Sequence, residues 1–440
     1  MRKAKPDPPI ASTLPPGLRQ GGILAAGSIA ASALTTLSTL VATVIILRVL
    51  PHEAAGRYAF LVELLYGVGL VCSLGQAVLQ ARLYHQSGAN NFDWVRDAWS
   101  TTWITLPVVT GTIAAIARPY NLTLLESVIL ISGAGFFILT SCFSAVLAQA
   151  RHYAWASALL RLGNGLLIIP AALMFAVPSL RRLDFVLVCL LVFIGSVTIL
   201  GAFLLARWLR RGPQQITLRQ RISGLVFLAT VLALVVPQRG LLVVAGAMLK
   251  PETVAALAAV VSILRVFDLV GESAGRVFST EMARHSRSLT AGLLAAPWLL
   301  GASMGAAVLI GLPAVIHRFY GGRYDEALPL LPWLVLAAAF RLVEMIPRGF
   351  LAYLAPASLL NRFAAVQCAT AVAGIALMVL WTARTGINGL VWAATLVAAV
   401  RLTISYFFLI TLRAMPPALA TAGKDLVVEP VEVGGEETPV

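Results

Sequence analysis

The sequence contains little charge, and acidic residues are especially scarce. Only 12% of its 440 residues are Asp, Glu, Lys or Arg, whereas 59% are hydrophobic and the mean hydropathy is +0.88. A soluble chain of this length has no use for so much apolar surface, so this composition excludes an ordinary soluble globular protein. The 19 acidic residues are outnumbered by 33 Lys and Arg, which gives a net charge of +14.

Motifs that would indicate an enzyme or a metal centre are also missing. The five histidines have no metal-ligand spacing, and the glycines at 163–165 match neither a P-loop nor a Rossmann turn. The cysteines lie in apolar segments without a C-x-x-C pair, so we interpret them as packing thiols. They are Cys72, Cys142, Cys189 and Cys368. The sequence therefore predicts no catalytic residue, no resident metal and no cofactor.

The excess of positive charge could indicate a nucleic-acid-binding protein. Here, however, Lys and Arg are spread over the short loops between apolar segments. Membrane topology explains this distribution better, because cytoplasmic loops carry the excess of Lys and Arg. We therefore expect no nucleic-acid partner.

Long apolar segments dominate the chain and occur in two sets of six. A bilayer core needs roughly 20 apolar residues per helix, and backbone groups in hydrocarbon must be satisfied within the segment. The segments lie near 21–48, 54–81, 98–117, 122–148, 154–177, 185–207, 221–247, 252–282, 290–316, 327–353, 362–382 and 387–412. They predict an all-α polytopic membrane protein with about 12 transmembrane helices in two six-helix lobes. Because six is even, both lobes point the same way, and a pseudo-two-fold axis along the membrane normal should relate them.

Residue identities at an offset of 200 support this internal repeat. They fall at matching places, namely the ends of the second and eighth segments and the turns before the fourth and tenth. The pairs are Ser73 and Ser273, Gly75 and Gly275, His85 and His285, Arg118 and Arg318, Tyr120 and Tyr320, and Glu126 and Glu326. A cavity between the two lobes is the expected active region.

Charge placement orients the array and divides the chain. The side that holds the N-terminus carries about twice as many Lys and Arg as the other side, so both termini should be cytoplasmic. We expect no cleaved signal peptide, a basic linker that meets anionic lipid headgroups, and a disordered acidic tail. The predicted units are an N-terminal tail 1–20, a first lobe 21–207, a linker 208–220, a second lobe 221–412 and a C-terminal tail 413–440.

Charged residues inside the apolar segments are the main functional signal, because each costs roughly 2.5–3.5 kcal/mol at mid-bilayer. Two stripes at helical spacing stand out. The eighth segment carries Arg265, Asp268, Glu272 and Arg276, and the tenth carries Arg341, Glu344 and Arg348. Two interpretations stay open: the stripes line a wet, cationic cavity, or their charges neutralise one another within and between the two helices.

Three more intramembrane charges have no obvious partner in sequence. Arg239 either lines the cavity or extends along the helix to the outer surface. Glu63, the sole acid within the second segment, is either an ion-coupling carboxylate or a buried, hydrogen-bonded one. Arg401 lies near the middle of the last segment, with no acidic residue on its own helix.

Two stretches resemble the polysaccharide flippases of the superfamily that also contains multidrug and toxin exporters and lipid II flippases. They are RVLPHEAAGRYAF (48–60), between the first two segments, and FYGGRYDEALPLLPWLVLAAAFRL (319–342). The resemblance extends over roughly residues 20–412. It implies a two-lobed body in the bacterial cytoplasmic (inner) membrane that alternates between inward-open and outward-open states.

The resemblance also implies a cargo, partners and residue roles. The cargo is a polyprenyl-pyrophosphate-linked oligosaccharide moved to the outer leaflet, and a polysaccharide polymerase and glycosyltransferases are the implied partners. Arginines in central helices would bind the pyrophosphate: Arg239, Arg265, Arg276, Arg341 and Arg348. Carboxylates would position those arginines or bind a coupling cation, H+ or Na+: Glu63, Asp268, Glu272 and Glu344.

Two other classes of protein remain open. A cation-coupled multidrug exporter of the same superfamily commonly carries an acidic residue in its first helix, and segment 21–48 has none. A non-transporting scaffold of a glycan-assembly complex would tolerate neutralisation of the charged stripes, which a transporter should not.

Overall fold

A computed structural model describes residues 16–87, 92–150, 152–209, 212–223, 225, 228–285 and 291–414. Within these ranges the chain forms fifteen α-helices joined by short connections, and the only extended pairing is an isolated bridge between Phe92 and Gln214. This confirms the predicted all-α fold. The predicted disorder of the acidic tail stays a prediction, because residues 415–440 lie outside the described ranges.

The helices follow the twelve predicted segments. The first lobe consists of α1 (Pro16–Val49), α2 (His52–Cys72), α3 (Gln76–Ser87), α4 (Trp94–Ala117), α5 (Leu124–Gln149), α6 (Tyr153–Gly165), α7 (Ile168–Ala176) and α8 (Leu183–Trp208). A short helix, α9 (Leu218–Ser223), follows in the linker. The second lobe consists of α10 (Leu228–Met248), α11 (Pro251–His285), α12 (Ala291–Tyr320), α13 (Leu331–Leu354), α14 (Ala357–Thr385) and α15 (Ile387–Ala414).

Helix length and hydropathy agree with a polytopic membrane protein. Nine helices in the described part of the chain are long and apolar enough to cross a bilayer. Shorter apolar stretches, Ala33–Val49 and Arg239–Met248, lie within α1 and α10. Since a helix satisfies its own backbone hydrogen bonds, these segments are compatible with hydrocarbon surroundings.

Two segments that the sequence predicts as continuous helices are interrupted. Between α2 and α3, Leu74 and Gly75 adopt positive φ angles of 50° and 75°, a conformation that ends a helix. The other break lies between α6 and α7, next to Gly165. Hydropathy did not reveal either break, because the composition of a segment does not report a local change in backbone conformation.

The internal repeat is visible in the turns that follow α4 and α12. Asn121 and Gly321 both have positive φ, 48° and 63°. The amide of the next residue donates to a carbonyl five residues back in both turns, Leu122 to Ala117 over 2.8 Å and Gly322 to His317 over 3.1 Å. Both bonds have the six-to-one pattern of a Schellman cap, at positions exactly 200 residues apart. The two halves therefore share this local geometry although most of their side chains differ.

The lobes meet where α2 packs against α10 and α11, and where α1 packs against α11. Small residues bring these backbones together. A Cβ atom at Gly56 would overlap the carbonyl oxygen of Pro251, and one at Gly246 would overlap the ring of Phe60. Close helix approach in membranes commonly depends on small residues of this kind. Glycine at position 56 is thus a steric requirement of this arrangement of the lobes.

Replacing Gly56 by Val should therefore destabilise the structure by about 1–3 kcal/mol, the usual cost of overpacking. Gly67→Val is the matched control on the same helix, because nothing lies within 4 Å of its Cβ position. Thermal unfolding in detergent checks the prediction. Equal melting temperatures for the two variants would show that the lobes do not depend on this contact.

Candidate functional site: an arginine and carboxylate cluster between the lobes

A carboxylate of the first lobe joins two arginines of the second. Glu63 on α2 accepts a hydrogen bond at Oε2 from Nη1 of Arg239 on α10, over 2.7 Å. Its other oxygen, Oε1, accepts from Nη2 of Arg265 on α11. Glu63 lies eleven residues into α2, about 16 Å along the helix axis, which places it near the middle of a bilayer core. The sequence interpretation of Glu63 as a buried, hydrogen-bonded acid describes this geometry.

The cluster extends from α11 to α13. Nε of Arg341 donates to Oδ1 of Asp268 over 3.2 Å. Asp268 thus pairs with an arginine on another helix. Such a pair is expected under the interpretation in which the charges of the two stripes neutralise one another. Arg265, three residues before Asp268, reaches across to the other lobe. We call Glu63, Arg239, Arg265, Asp268 and Arg341 the inter-lobe cluster.

Exposure within the cluster is asymmetric. The side chains of Arg239 and Arg265 are 22% and 27% exposed, whereas that of Glu63 is 3% exposed. The arginine side chains are therefore the more accessible partners of these ion pairs, and the carboxylate is the buried one.

Aromatic and amide groups hold Arg239 in place. Its guanidinium lies over the ring of Tyr66, 5.2 Å from the centroid, and the hydroxyl of Tyr66 bonds to Oδ1 of Asn164 over 2.9 Å. Asn164 is on α6, one residue before the break, and Ser38 on α1 donates to the carbonyl of Gly165 over 2.8 Å. A cation over an aromatic face is stabilised by the ring quadrupole. The interrupted segment thus positions Tyr66, a role that sequence reasoning missed.

Glu344 has a different role from its neighbours on the tenth segment. It accepts two hydrogen bonds from Arg401 on α15, over 2.8 Å and 3.3 Å. The side chains are 5% and 1% exposed. Glu344 is therefore the partner of Arg401, which the sequence did not reveal. The hydrogen bonds described for Glu344 go to neither arginine of its own stripe.

The remaining predicted residues are only partly described. Arg348 is half-buried on α13 and engages in an interaction there. Glu272 and Arg276 lie on helix α11, but their side chains fall outside the described part of the chain. Their predicted roles stay predictions.

A second buried ion pair fixes the linker to the first lobe. Nη2 of Arg221 on α9 donates to Oδ1 of Asp97 on α4 over 3.1 Å, and the amide of Ile216 donates to the same oxygen over 3.0 Å. Gln76 on α3 donates to the carbonyl of Arg221 over 2.8 Å. The predicted second lobe begins at residue 221, whereas Arg221 pairs with a residue of the first lobe. Part of the predicted linker is thus an ordered element of the first lobe.

The lobes also touch at the end that carries the α1–α2, α10–α11 and α12–α13 connections. We call it the outer end, because the charge distribution of the sequence predicts that it faces away from the cytoplasm. The hydroxyl of Tyr324 donates to the carbonyl of Leu47 over 2.7 Å, and Nη1 of Arg323 donates to that of Arg48 over 3.0 Å. The rings of His52 and Tyr324 stack with centroids 5.4 Å apart. Burial raises the pKa of Tyr324 to about 12, so its hydroxyl remains a donor at neutral pH. The outer end is closed.

No group of three or more His, Cys, Asp or Glu among the described residues has the arrangement of a metal site. Instead, the buried carboxylates in those ranges pair with arginine. Four carboxylates form five such ion pairs: Glu63 with Arg239 and with Arg265, Asp97 with Arg221, Glu126 with Arg57, and Glu344 with Arg401.

Several solved membrane transporters have a fold similar to that of this chain. The lipid II flippase MurJ, in an inward closed conformation, aligns over 89% of this chain and 88% of its own with a TM-score of 0.65 and 12% identity. A eukaryotic MATE transporter aligns over 92% and 98% with a TM-score of 0.58 and 14% identity. An inward-facing multidrug resistance MATE family transporter of the MOP superfamily aligns over 92% and 99% with a TM-score of 0.56 and 15% identity.

At these identities the likeness shows the fold alone, which is the all-α membrane fold with two six-helix lobes predicted from the sequence. No protein-family model matches the chain. A search of the curated proteins gives no match by sequence.

Replacing Arg401 by Met should be strongly destabilising, because it leaves the Glu344 carboxylate buried without its cation. Breaking a buried ion pair costs about 3–5 kcal/mol. Arg384→Met, at an exposed position, is the control. It should change the free energy of unfolding by no more than about 0.5 kcal/mol. Adding Glu344→Gln to Arg401→Met should recover part of the loss in denaturant unfolding. A double variant no more stable than Arg401→Met would contradict the pairing.

Replacing Tyr324 by Phe should loosen the outer end, because one hydrogen bond between the lobes is lost, worth about 0.5–1.5 kcal/mol. Spin labels at exposed positions of the two lobes, Ser179→Cys and Arg384→Cys in a background without native cysteines, report their separation. The distance distribution should gain a longer component. Tyr320→Phe is the control, since the hydroxyl of Tyr320 has no hydrogen-bond partner among the described residues. A similar change in both variants would rule out the hydroxyl as a closing contact.

Proposed function

We propose that the protein is a flippase that moves a polyprenyl-pyrophosphate-linked oligosaccharide from the cytoplasmic to the outer leaflet by alternating access. The observation that carries the proposal is the partial exposure of Arg239 and Arg265 between the lobes, with the Glu63 carboxylate buried behind them. Two guanidinium groups from neighbouring helices can bind a phosphate group on two sides.

Electrostatics favours a phosphate-bearing cargo. The inter-lobe cluster contains three arginines and two carboxylates, so its formal charge is positive. A pyrophosphate diester carries two negative charges, which are costly to bring into a bilayer without compensating cations. Arginine suits this task, because its planar guanidinium binds phosphate oxygens through two parallel hydrogen bonds. The polyprenyl tail would stay in the bilayer while the headgroup crosses between the lobes.

Alternating access requires two bodies that separate at one end while they close at the other. The contacts of Tyr324 and Arg323 with the end of α1 close the outer end. A cargo would therefore enter from the opposite, cytoplasmic side in this state. The fold of MurJ, a lipid II flippase, supports this proposal by analogy at the level of fold only.

A cation-coupled multidrug exporter is the competing function, since MATE transporters share the fold. The buried carboxylates disfavour it. Within the described ranges Glu63, Asp97, Glu126 and Glu344 are all paired with arginine, so a cationic drug or a coupling ion would have to displace a guanidinium group.

The test is an analysis of lipid-linked intermediates in cells that lack the protein. We expect an oligosaccharide-pyrophosphate lipid to accumulate on the cytoplasmic leaflet and surface polysaccharide to fall. The intact gene should restore both, whereas Arg265→Ala and Arg341→Ala should insert into the membrane but restore neither. Arg384→Ala, which removes an exposed arginine at the outer end, is the matched control and should complement fully.

The contrary outcomes are distinct. An unchanged lipid pool together with new drug sensitivity would contradict the flippase proposal and support the exporter. Normal surface polysaccharide in both Arg265→Ala and Arg341→Ala would remove these arginines from the mechanism.

A further inference from the structure

Glu63 differs from the other buried carboxylates because its partners belong to the opposite lobe. Asp97, Glu126 and Glu344 pair with arginines that pack against their own lobe. Glu63 instead joins α2 to both α10 and α11 through its two oxygens. Its ion pairs therefore exist only while the lobes are together at this depth.

Glu63 also occupies the position that a ligand phosphate would need. Its oxygens accept from Arg239 and Arg265, whose side chains are partly exposed. A carboxylate and a phosphate offer the same chemistry to a guanidinium group, namely two oxygens on one anionic centre. Both anions cannot hold the same donors fully.

We propose that the carboxylate of Glu63 is a resident anion that holds the two lobes together. To bind, the pyrophosphate of the substrate must displace this carboxylate from Arg239 and Arg265. This inference rests on the proposed function, because it assumes a phosphate-bearing substrate. Displacement breaks the only hydrogen bonds described between α2 and these two arginines, so substrate binding and release of the lobes become one event.

Displacement also makes the site selective for charge. Glu63 is tethered, so it competes at an effective concentration in the millimolar range or above. A singly charged phosphodiester brings no more charge than the carboxylate that it replaces. A pyrophosphate brings two charges and more acceptor oxygens, so it can engage both arginines and Arg341 as well. Glu63 should therefore discriminate against monophosphate diesters.

The released carboxylate supplies the driving force for movement. With its side chain 3% exposed, Glu63 cannot remain an unpaired anion where it lies, because an uncompensated buried charge costs several kcal/mol. Separation of α2 from α10 and α11 would admit water to it. Loss of the ion pairs thus favours the arrangement in which the lobes are apart at this level.

The test uses the full chain in nanodiscs, with spin labels at Ser179→Cys and Arg384→Cys. The two probes are farnesyl diphosphate and farnesyl methyl phosphate, a monophosphate diester with one negative charge. In the otherwise unaltered protein the diphosphate should bind and lengthen the distance between the labels, and the monophosphate should do neither at the same concentration. This comparison needs no change at Glu63. Diphosphate binding without any change in distance would overturn the proposal.

Glu63→Gln keeps the shape of the side chain and removes its charge. We expect a longer mean distance without ligand, about tenfold tighter diphosphate binding, equivalent to ~1.4 kcal/mol, and measurable monophosphate binding. Asp268→Asn is the matched control, because Asp268 pairs within the second lobe and should leave the distance unchanged. The same increase in distance with Asp268→Asn would show a general electrostatic effect and contradict the specific role of Glu63.

The proposal and the proposed function fail in different ways. If Glu63→Gln retains the distance and selectivity of the unaltered protein while Arg265→Gln abolishes diphosphate binding, Glu63 does not hold the lobes together. The proposed phosphate site would still be supported. If the unaltered protein and Glu63→Gln both fail to bind either probe, the phosphate-bearing cargo itself is wrong, and the inference falls with it.

Discussion

The structure depends on the cost of placing a charge in hydrocarbon. Each intramembrane charge costs several kcal/mol unless a partner of opposite sign meets it, so every buried carboxylate in the described ranges selects which helices must be neighbours. Arg401 and Glu344 tie α15 to α13, and Arg221 with Asp97 ties the linker to α4. These pairs are nearly inaccessible, and they stabilise single lobes. The Glu63 pairs also compensate a buried charge, but they link two lobes. They therefore form only in a conformation in which the lobes are together.

Exposure separates the structural pairs from the candidate site. The guanidinium of Arg401 is 1% exposed, so an incoming anion cannot reach it without unfolding the second lobe. Arg239 and Arg265 are partly open, and Tyr66 and Asn164 hold Arg239 from the side of the first lobe. A buried ion pair by itself says little about function, whereas a partly exposed one at the boundary of two bodies can exchange partners.

The sequence predicted the helices well because the bilayer imposes a length and a composition that hydropathy detects directly. It also predicted the repeat, since Asn121 and Gly321 stand in equivalent turns. It identified Arg265, Asp268 and Arg341 as charged positions but could not choose their partners. Spacing along one helix suggests Arg265 with Asp268, whereas long side chains reach other helices, and which helices cross is set by contacts such as Gly56 with Pro251. The breaks beside Gly75 and Gly165 escaped notice because hydropathy does not report a local change in backbone conformation.

The two sets of contacts between the lobes differ in the free energy that is lost when they break. At the outer end Tyr324 and Arg323 donate to Leu47 and Arg48, whose carbonyls belong to the last turn of α1 and have no partner within the helix. Water can take over such carbonyls at the membrane surface, so opening there exchanges one hydrogen bond for another at little net cost. Glu63 lies near mid-bilayer, where no such exchange is possible while the lobes stay together. In the proposed mechanism the barrier to separation would therefore be concentrated at Glu63, and a ligand would gain most control over the lobes by acting there.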